Sequence, residues 1–324
     1  MIRRDSLLAL VALLALPLAV AAQRVAKIPR VGFMRGERPP QAYLDAFETG
    51  LRRLGYSPGQ NILIEYRFPD AGASELQRIA NELVDSKVDI IVAAGARSTR
   101  AAKHATSVIP IVMSPATDPV GNGFVASLAR PEGNITGINL FNWDLIGKRF
   151  ELLRAILPSV SRVAVLFDRD SPAPADTWDK SVSAASSIGV TLRPIEVSTS
   201  GDFESAFKTI AQAHIEALIV VQATLFDTPP FRIVQLAAAN RIPTVYGLRL
   251  PVEAGGLMSY GPNVGEMYRQ AASFVTKILK GAKPSDLPVE QPTRIELVIN
   301  LRCAKELGLV VPQPLLLRAD EIIQ

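Results

Sequence analysis

The chain has 324 residues, 48% of them hydrophobic and 20% charged, with a formal net charge of +4. That length and apolar share suit two ordinary domains with substantial cores and exclude a disordered chain. Basic residues are interleaved with acids, so neither nucleic acid nor a membrane surface is indicated as a partner, and a single cysteine, Cys303, excludes an internal disulfide framework.

In chain order, Arg3 and Arg4 precede an uncharged apolar stretch over residues 7–22 that ends in small residues. The stretch is short of the roughly 20 apolar residues that span a bilayer. A positive start, apolar middle and small-residue exit read as a secretory signal peptide over residues 1–22, removed from the mature chain. The Arg pair partly resembles a twin-arginine signal; the ordinary secretory route fits better. Its removal takes Arg3, Arg4 and Asp5 and leaves a net charge of +3.

The mature chain alternates strand and helix patterns. Residues 30–34 form an apolar strand; Tyr43, Phe47, Leu51 and Leu54 follow at helical spacing, and Gly55 stops that helix. A strand over 61–66 leads to a helix opened by a capping box, Ser74 with Gln77. A buried strand over 88–94, a helix from Ser98 and a strand over 109–113 complete the series. The same order restarts at Arg162: strand 163–167, a helix stopped by Gly189, strand 190–197, a helix on Phe203, Phe207 and Ile210, strand 217–221, a helix through Ile233, and strand 242–246. The two β-α-β-α-β-α-β series are offset by roughly 130 residues. The predicted fold is therefore α/β: two hinge-connected, Rossmann-like lobes, each a parallel sheet flanked by helices.

In such sheets ligands bind beyond the carboxyl ends of the strands, so the site is expected between the lobes, with closure by hinge bending. The loops there nominate Arg35, Gly95, Arg97, Ser98, Ser114, Thr117 and Asp118 in one lobe, and Asp168, Arg169, Ser171, Thr224 and Tyr246 in the other. A helix opening at Ser98 after Gly95 offers backbone N–H groups suited to a carboxylate, and Asp118 or Asp168 could take an ammonium. Each has a plainer reading. Asp118 before Pro119 suits a helix N-cap, and Asp168 and Ser171 suit caps as well. Arg97 and Arg169 suit a solvated rim, and Phe33 and Phe167 suit the core. Trp143 and Trp178, beside helix starts, suit covers for the sheets. No nucleophile elbow, P-loop or dinucleotide fingerprint occurs, and His104 and His214 lack ligand clusters, so no enzyme activity, metal or cofactor is expected.

Five blocks carry a resemblance. They are Gly55-Tyr56 with Gly59-Gln60-Asn61 and Ile64-Glu65-Tyr66-Arg67; Asp89-Ile90-Ile91-Val92-Ala93-Ala94-Gly95; and Asp118-Pro119-Val120-Gly121 through Gly133-Asn134-Ile135-Thr136-Gly137. Then come Glu253-Ala254-Gly255-Gly256-Leu257-Met258-Ser259-Tyr260-Gly261-Pro262, and Ile278-Leu279-Lys280-Gly281 with Leu287-Pro288-Val289-Glu290. In this order they resemble the ABC transporter substrate-binding family that includes tryptophan- and tyrosine-type binding proteins. The signal peptide predicts a periplasmic location, and a monomer is expected; the resemblance implies a type I periplasmic-binding fold, an inner-membrane permease and ATPase as partners, and no catalysis. A periplasmic sensor presenting ligand to a membrane receptor is the alternative. It further implies crossings between lobes near residues 136–139, before Gly255 and near Pro288. Residues 23–138 and 255–288 would then form lobe one, and residues 139–254 and 289–324 lobe two.

Overall fold

The computed structural model describes residues 27–70, 73–140, 145–169, 175–186, 189–226, 231–292 and 294–324. The expected signal peptide, Trp143 and Ser171 lie outside these residues.

The first series is β1 (Arg30–Arg35), α1 (Gln41–Arg53), β2 (Leu63–Arg67), α2 (Leu76–Asp85), β3 (Ile90–Ala94), α3 (Ala96–Ala105), β4 (Ile111–Thr117) and β5 (Ile135–Leu140). After α4 (Ile146–Ile156) the second series runs β6 (Arg162–Asp168), α5 (Ala175–Ser186), β7 (Thr191–Val197), α6 (Phe203–Gln212), β8 (Ala217–Val220), α7 (Arg232–Ala239) and β9 (Thr244–Tyr246). The remainder is α8 (Leu250–Glu253), β10 (Met258–Pro262), α9 (Val264–Leu279), β11 (Ile295–Asn300), α10 (Leu301–Glu306), α11 (Gln313–Leu316) and β12 (Glu321–Ile323).

The strands form two sheets, β2-β1-β3-β4-β5 and β12-β11-β10-β9-β8-β6-β7. The first is parallel throughout; in the second, β11 runs antiparallel to β10. The sequence echo survives as geometry, because β2-β1-β3-β4 and β7-β6-β8-β9 share one winding order. Each central strand is covered on both faces, which is why β3 and β8 are apolar at every position and wholly buried. Gly55 and Gly189, at φ 91° and 75°, stop their helices where left-handed backbone is needed.

Three expectations are corrected. The Ser74–Gln77 capping box does not form: residues 73–75 make a 3-10 turn, and α2 has no side-chain cap. Residues 136–139 are not a crossing, since β5 pairs with β4 through Leu140. Nor does the chain leave the second lobe before Gly255. β10 pairs with β9 and β11, so the crossing follows Pro262. Asn263 marks it: its Oδ1 accepts the Glu266 N–H at 3.1 Å, capping α9, while its Nδ2 donates to Glu296 of β11 at 3.2 Å. The return crossing follows Glu290, whose N–H still donates to Gly137 of the first sheet.

α9 then packs on α1. Phe33, Tyr43, Phe47 and Leu51 meet Met267, Tyr268, Ala272 and Val275 in one core. Each fully buried large side chain contributes about 1.5–3 kcal/mol, so this contact anchors the late segment firmly to the first lobe.

Candidate functional site: a cleft between the lobes

Both sheets turn their carboxyl ends toward one cleft. The first lobe contributes Arg35 from the end of β1, Gly95, Ala96 and Arg97 from the β3–α3 turn, Ser114, Pro115 and Thr117 from β4, and Leu140 from β5. The second contributes Asp168 from the end of β6, Gln222 and Ala223 after β8, and Leu248 after β9. Val264 and Tyr268 of α9 close the end beside the crossings.

Ser114 owes its position to an irregularity. The β4–β5 register shifts between Met113 and Ala116, placing Ser114 and Pro115 opposite Ile138. Such a bulge re-aims a side chain, and Pro115 has no N–H to lose there. The Ser114 side chain is fully buried, and its Oγ has no hydrogen-bond partner among the described residues. Beside it, α3 begins at Ala96 after Gly95, whose φ of 92° suits glycine. The first-turn N–H groups of α3 have no acceptor within the helix and carry its positive dipole end. Arg35, 1% exposed, adds a buried cation to the same side.

The opposite wall is tied to this one. Arg97 Nη2 donates to Asp168 Oδ1 at 2.6 Å and to the Ser198 carbonyl at 3.0 Å, joining the lobes directly. Beneath the second lobe's floor lies Arg149, wholly buried, its Nε donating to the Tyr260 carbonyl at 2.8 Å. Desolvation pushes its pKa down to about 9, so it remains cationic at neutral pH.

Residues 40–323 match the model of the ABC transporter substrate binding protein family. The chain belongs to that family. It is 27% identical over 263 residues to the tyrosine-binding protein of Clostridioides difficile, covering 81% of this chain and 75% of that protein. The fold matches a conserved domain protein of Vibrio cholerae with a TM-score of 0.84 at 26% identity, over 91% of this chain and 100% of that one. It matches an ABC domain of Streptococcus pneumonia in complex with L-Trp with a TM-score of 0.83 at 24% identity, over 91% and 99%. For the ligand-free, open structure of a Clostridium difficile substrate-binding protein the score is 0.65 at 25% identity, over 92% and 100%. The neighbours are type I periplasmic binding proteins.

In this substrate-binding protein Arg35, Gly95, Arg97, Ser114, Thr117 and Asp168 all come to the cleft. Ser98 does not line it; it is buried in the first turn of α3. Asp118 is exposed, and its Oδ1 accepts the Gly121 N–H at 2.9 Å, capping a turn in place of the expected helix. Arg169 is also exposed and pairs with Glu196 at 3.3 Å. Tyr246 is 1% exposed within the second lobe's core, against Ile233 and Val234 of α7, because its strand-end side chain faces the helix layer. Thr224 opens a 3-10 turn beside Ala223. Sequence reasoning missed Gln222, Leu140, Leu248, Val264 and Tyr268. Gln222 follows an apolar strand, as Gly95 does, and that parallel could have found it. The rest look like core residues in any sequence. Among the described residues, no group of three or more His, Cys, Asp or Glu side chains could hold a metal ion, and no helix is long and apolar enough to cross a membrane.

Proposed function

We propose that the chain is an exported solute receptor of an ABC uptake system, and that its ligand is a small carboxylate-bearing solute, an amino acid or an aromatic acid. The observation that carries this reading is the buried Ser114 hydroxyl, aimed by a bulge into a cleft that also receives the N-terminus of α3 and Arg35. A hydroxyl, oriented N–H groups and a guanidinium together suit an anionic oxygen pair. The carboxylate sits on that wall, Thr117 and Gln222 line its flanks, and Asp168, held by Arg97, is the acid that the cleft lining offers a ligand ammonium. The C. difficile relative is a tyrosine-binding protein and the pneumococcal neighbour is a complex with L-Trp, which agrees with an amino acid. Residues 1–22 direct export to the periplasm, and an inner-membrane permease and ATPase receive the loaded protein.

The test is calorimetry and thermal shift of the mature chain with L-amino acids, aromatic acids, and sugars or sugar alcohols as the contrasting class. Stabilisation by a carboxylate and none by a sugar is expected. A response to sugars alone, or to no carboxylate, removes the ligand class.

A further inference from the structure

The cleft is divided along its length. Its polar wall is built by β1, β4 and α3, while the end beside the crossings is apolar: Leu140, Leu248, Val264 and Tyr268. All four pack in the first lobe's aromatic cluster rather than in a polar network, Leu248 reaching it from the second lobe. Tyr268 is held on two sides, its ring centroid 5.1 Å from that of Tyr43 and 5.9 Å from that of Phe33. Such interlocked rings do not yield to a ligand. Val264 stands one turn before Tyr268 on the same face of α9 and is the first residue of that helix, directly after Asn263. A β-branched side chain here has a fixed rotamer, and its bulk limits the depth of the apolar end.

From this division we infer that Val264 sets the size of the ligand's apolar part, with Tyr268 as the rigid wall against which that part rests. The inference rests on the amino-acid reading given above and adds orientation and selectivity to it. The carboxylate faces Ser114 and the start of α3, and the side chain points toward the crossings. Hydrophobic slots discriminate by fit, so one added or removed methylene changes affinity by about tenfold or more.

The experiment measures dissociation constants of L-alanine, L-valine, L-leucine, L-phenylalanine and L-tryptophan with the wild type, Val264→Phe and Val264→Ala. Val264 is also part of the α1–α9 core, so thermal melts first establish that both variants keep it. In the wild type affinity rises with side-chain size. Val264→Phe lowers the affinity for tryptophan relative to valine by about tenfold or more, and Val264→Ala shifts it in the opposite direction. If the wild type binds one amino acid alone, the expected reading is an equally large loss for that ligand in Val264→Phe, with Val264→Ala within about threefold. Equal changes for every ligand, or no change, overturn the slot and leave the amino-acid reading standing. Binding of none of the five by the wild type overturns the slot, while the carboxylate reading falls only if the wider screen of amino acids and aromatic acids finds no ligand.

Discussion

Arg97 and Asp168 meet across the cleft with 2.6 Å between Nη2 and Oδ1, one from the first turn of α3, the other from the end of β6. The side chain of Asp168 is 5% exposed and that of Arg97 21%. Both were nominated as ligand contacts, and the structure pairs them with each other. Water screens a charge pair this sheltered only a little, so removing one partner costs more than it does in a surface pair.

Arg97→Met therefore loosens closure. The bonds to Asp168 and to the Ser198 carbonyl are lost together. Ligand affinity is expected to fall by about ten- to hundredfold, about 1.4–2.8 kcal/mol, mainly through faster dissociation. Stopped-flow release and small-angle scattering of the liganded protein check this. An unchanged radius of gyration and release rate would exclude the clamp.

Ser114 and Ser98 separate two readings of the α3 turn. Both are buried with hydroxyls lacking a partner among the described residues, yet Ser114 lines the cleft and Ser98 does not. Ser114→Ala is expected to weaken binding by about 1.5–3 kcal/mol, the range for a hydrogen bond to a charged group. Ser98→Ala leaves affinity within about twofold. Equal effects of the two in calorimetry would show that the carboxylate sits elsewhere.

The floor of the second lobe depends on a missing side chain. A Cβ at Gly261 would lie 1.9 Å from the Gly247 carbonyl oxygen, with Arg149 Nη2 3.5 Å away. Backbone cannot step aside as a flexible side chain can. Gly261→Ala is expected to cost about 2–3 kcal/mol, in the upper range for overpacking, and to disturb the backbone before Leu248. Urea unfolding gives the value; a variant as stable as the wild type contradicts the packing described.

Acid should weaken the clamp through Asp202. Its carboxylate accepts the Ser198 and Thr199 N–H groups at 2.9 and 2.8 Å, fixing the loop whose Ser198 carbonyl receives Arg97. These backbone bonds, the one from Ser198 foremost, hold its pKa below the usual carboxylate value. A lowered folded-state pKa contributes stability above the unfolded value of about 3.9, lost as pH falls through the folded value. Ligand release should therefore accelerate only as pH falls below about 3.9, through the lowered folded-state value. Asp202→Asn should release faster already at neutral pH and change less on acidification. Parallel pH profiles for the two proteins would refute the assignment.

Much of the architecture was legible along the chain because it rests on local physics. Buried parallel strands are apolar at every position, as at β3 and β8, and helices end at glycines such as Gly55 and Gly189. The repeat of one winding order in two lobes followed from periodicity, and the loops after β1, β3, β4 and β6 gave Arg35, Gly95, Arg97, Ser114, Thr117 and Asp168. Tertiary structure alone decided the rest. β10 reads as well for one sheet as for the other, and only its pairing with β9 and β11 moved the crossing beyond Pro262. The bulge that turns Ser114 inward is a property of two strands and their register. Val264 and Tyr268 carry a core pattern, and they reach the cleft only because α9 returns to pack on α1. Arg97 and Asp168 lie 71 residues apart, and no local rule brings an arginine and an aspartate at that separation into contact. Side-chain type and local conformation are set by neighbours in sequence, whereas facing, register and pairing across a gap are set by which surfaces the folded chain buries together.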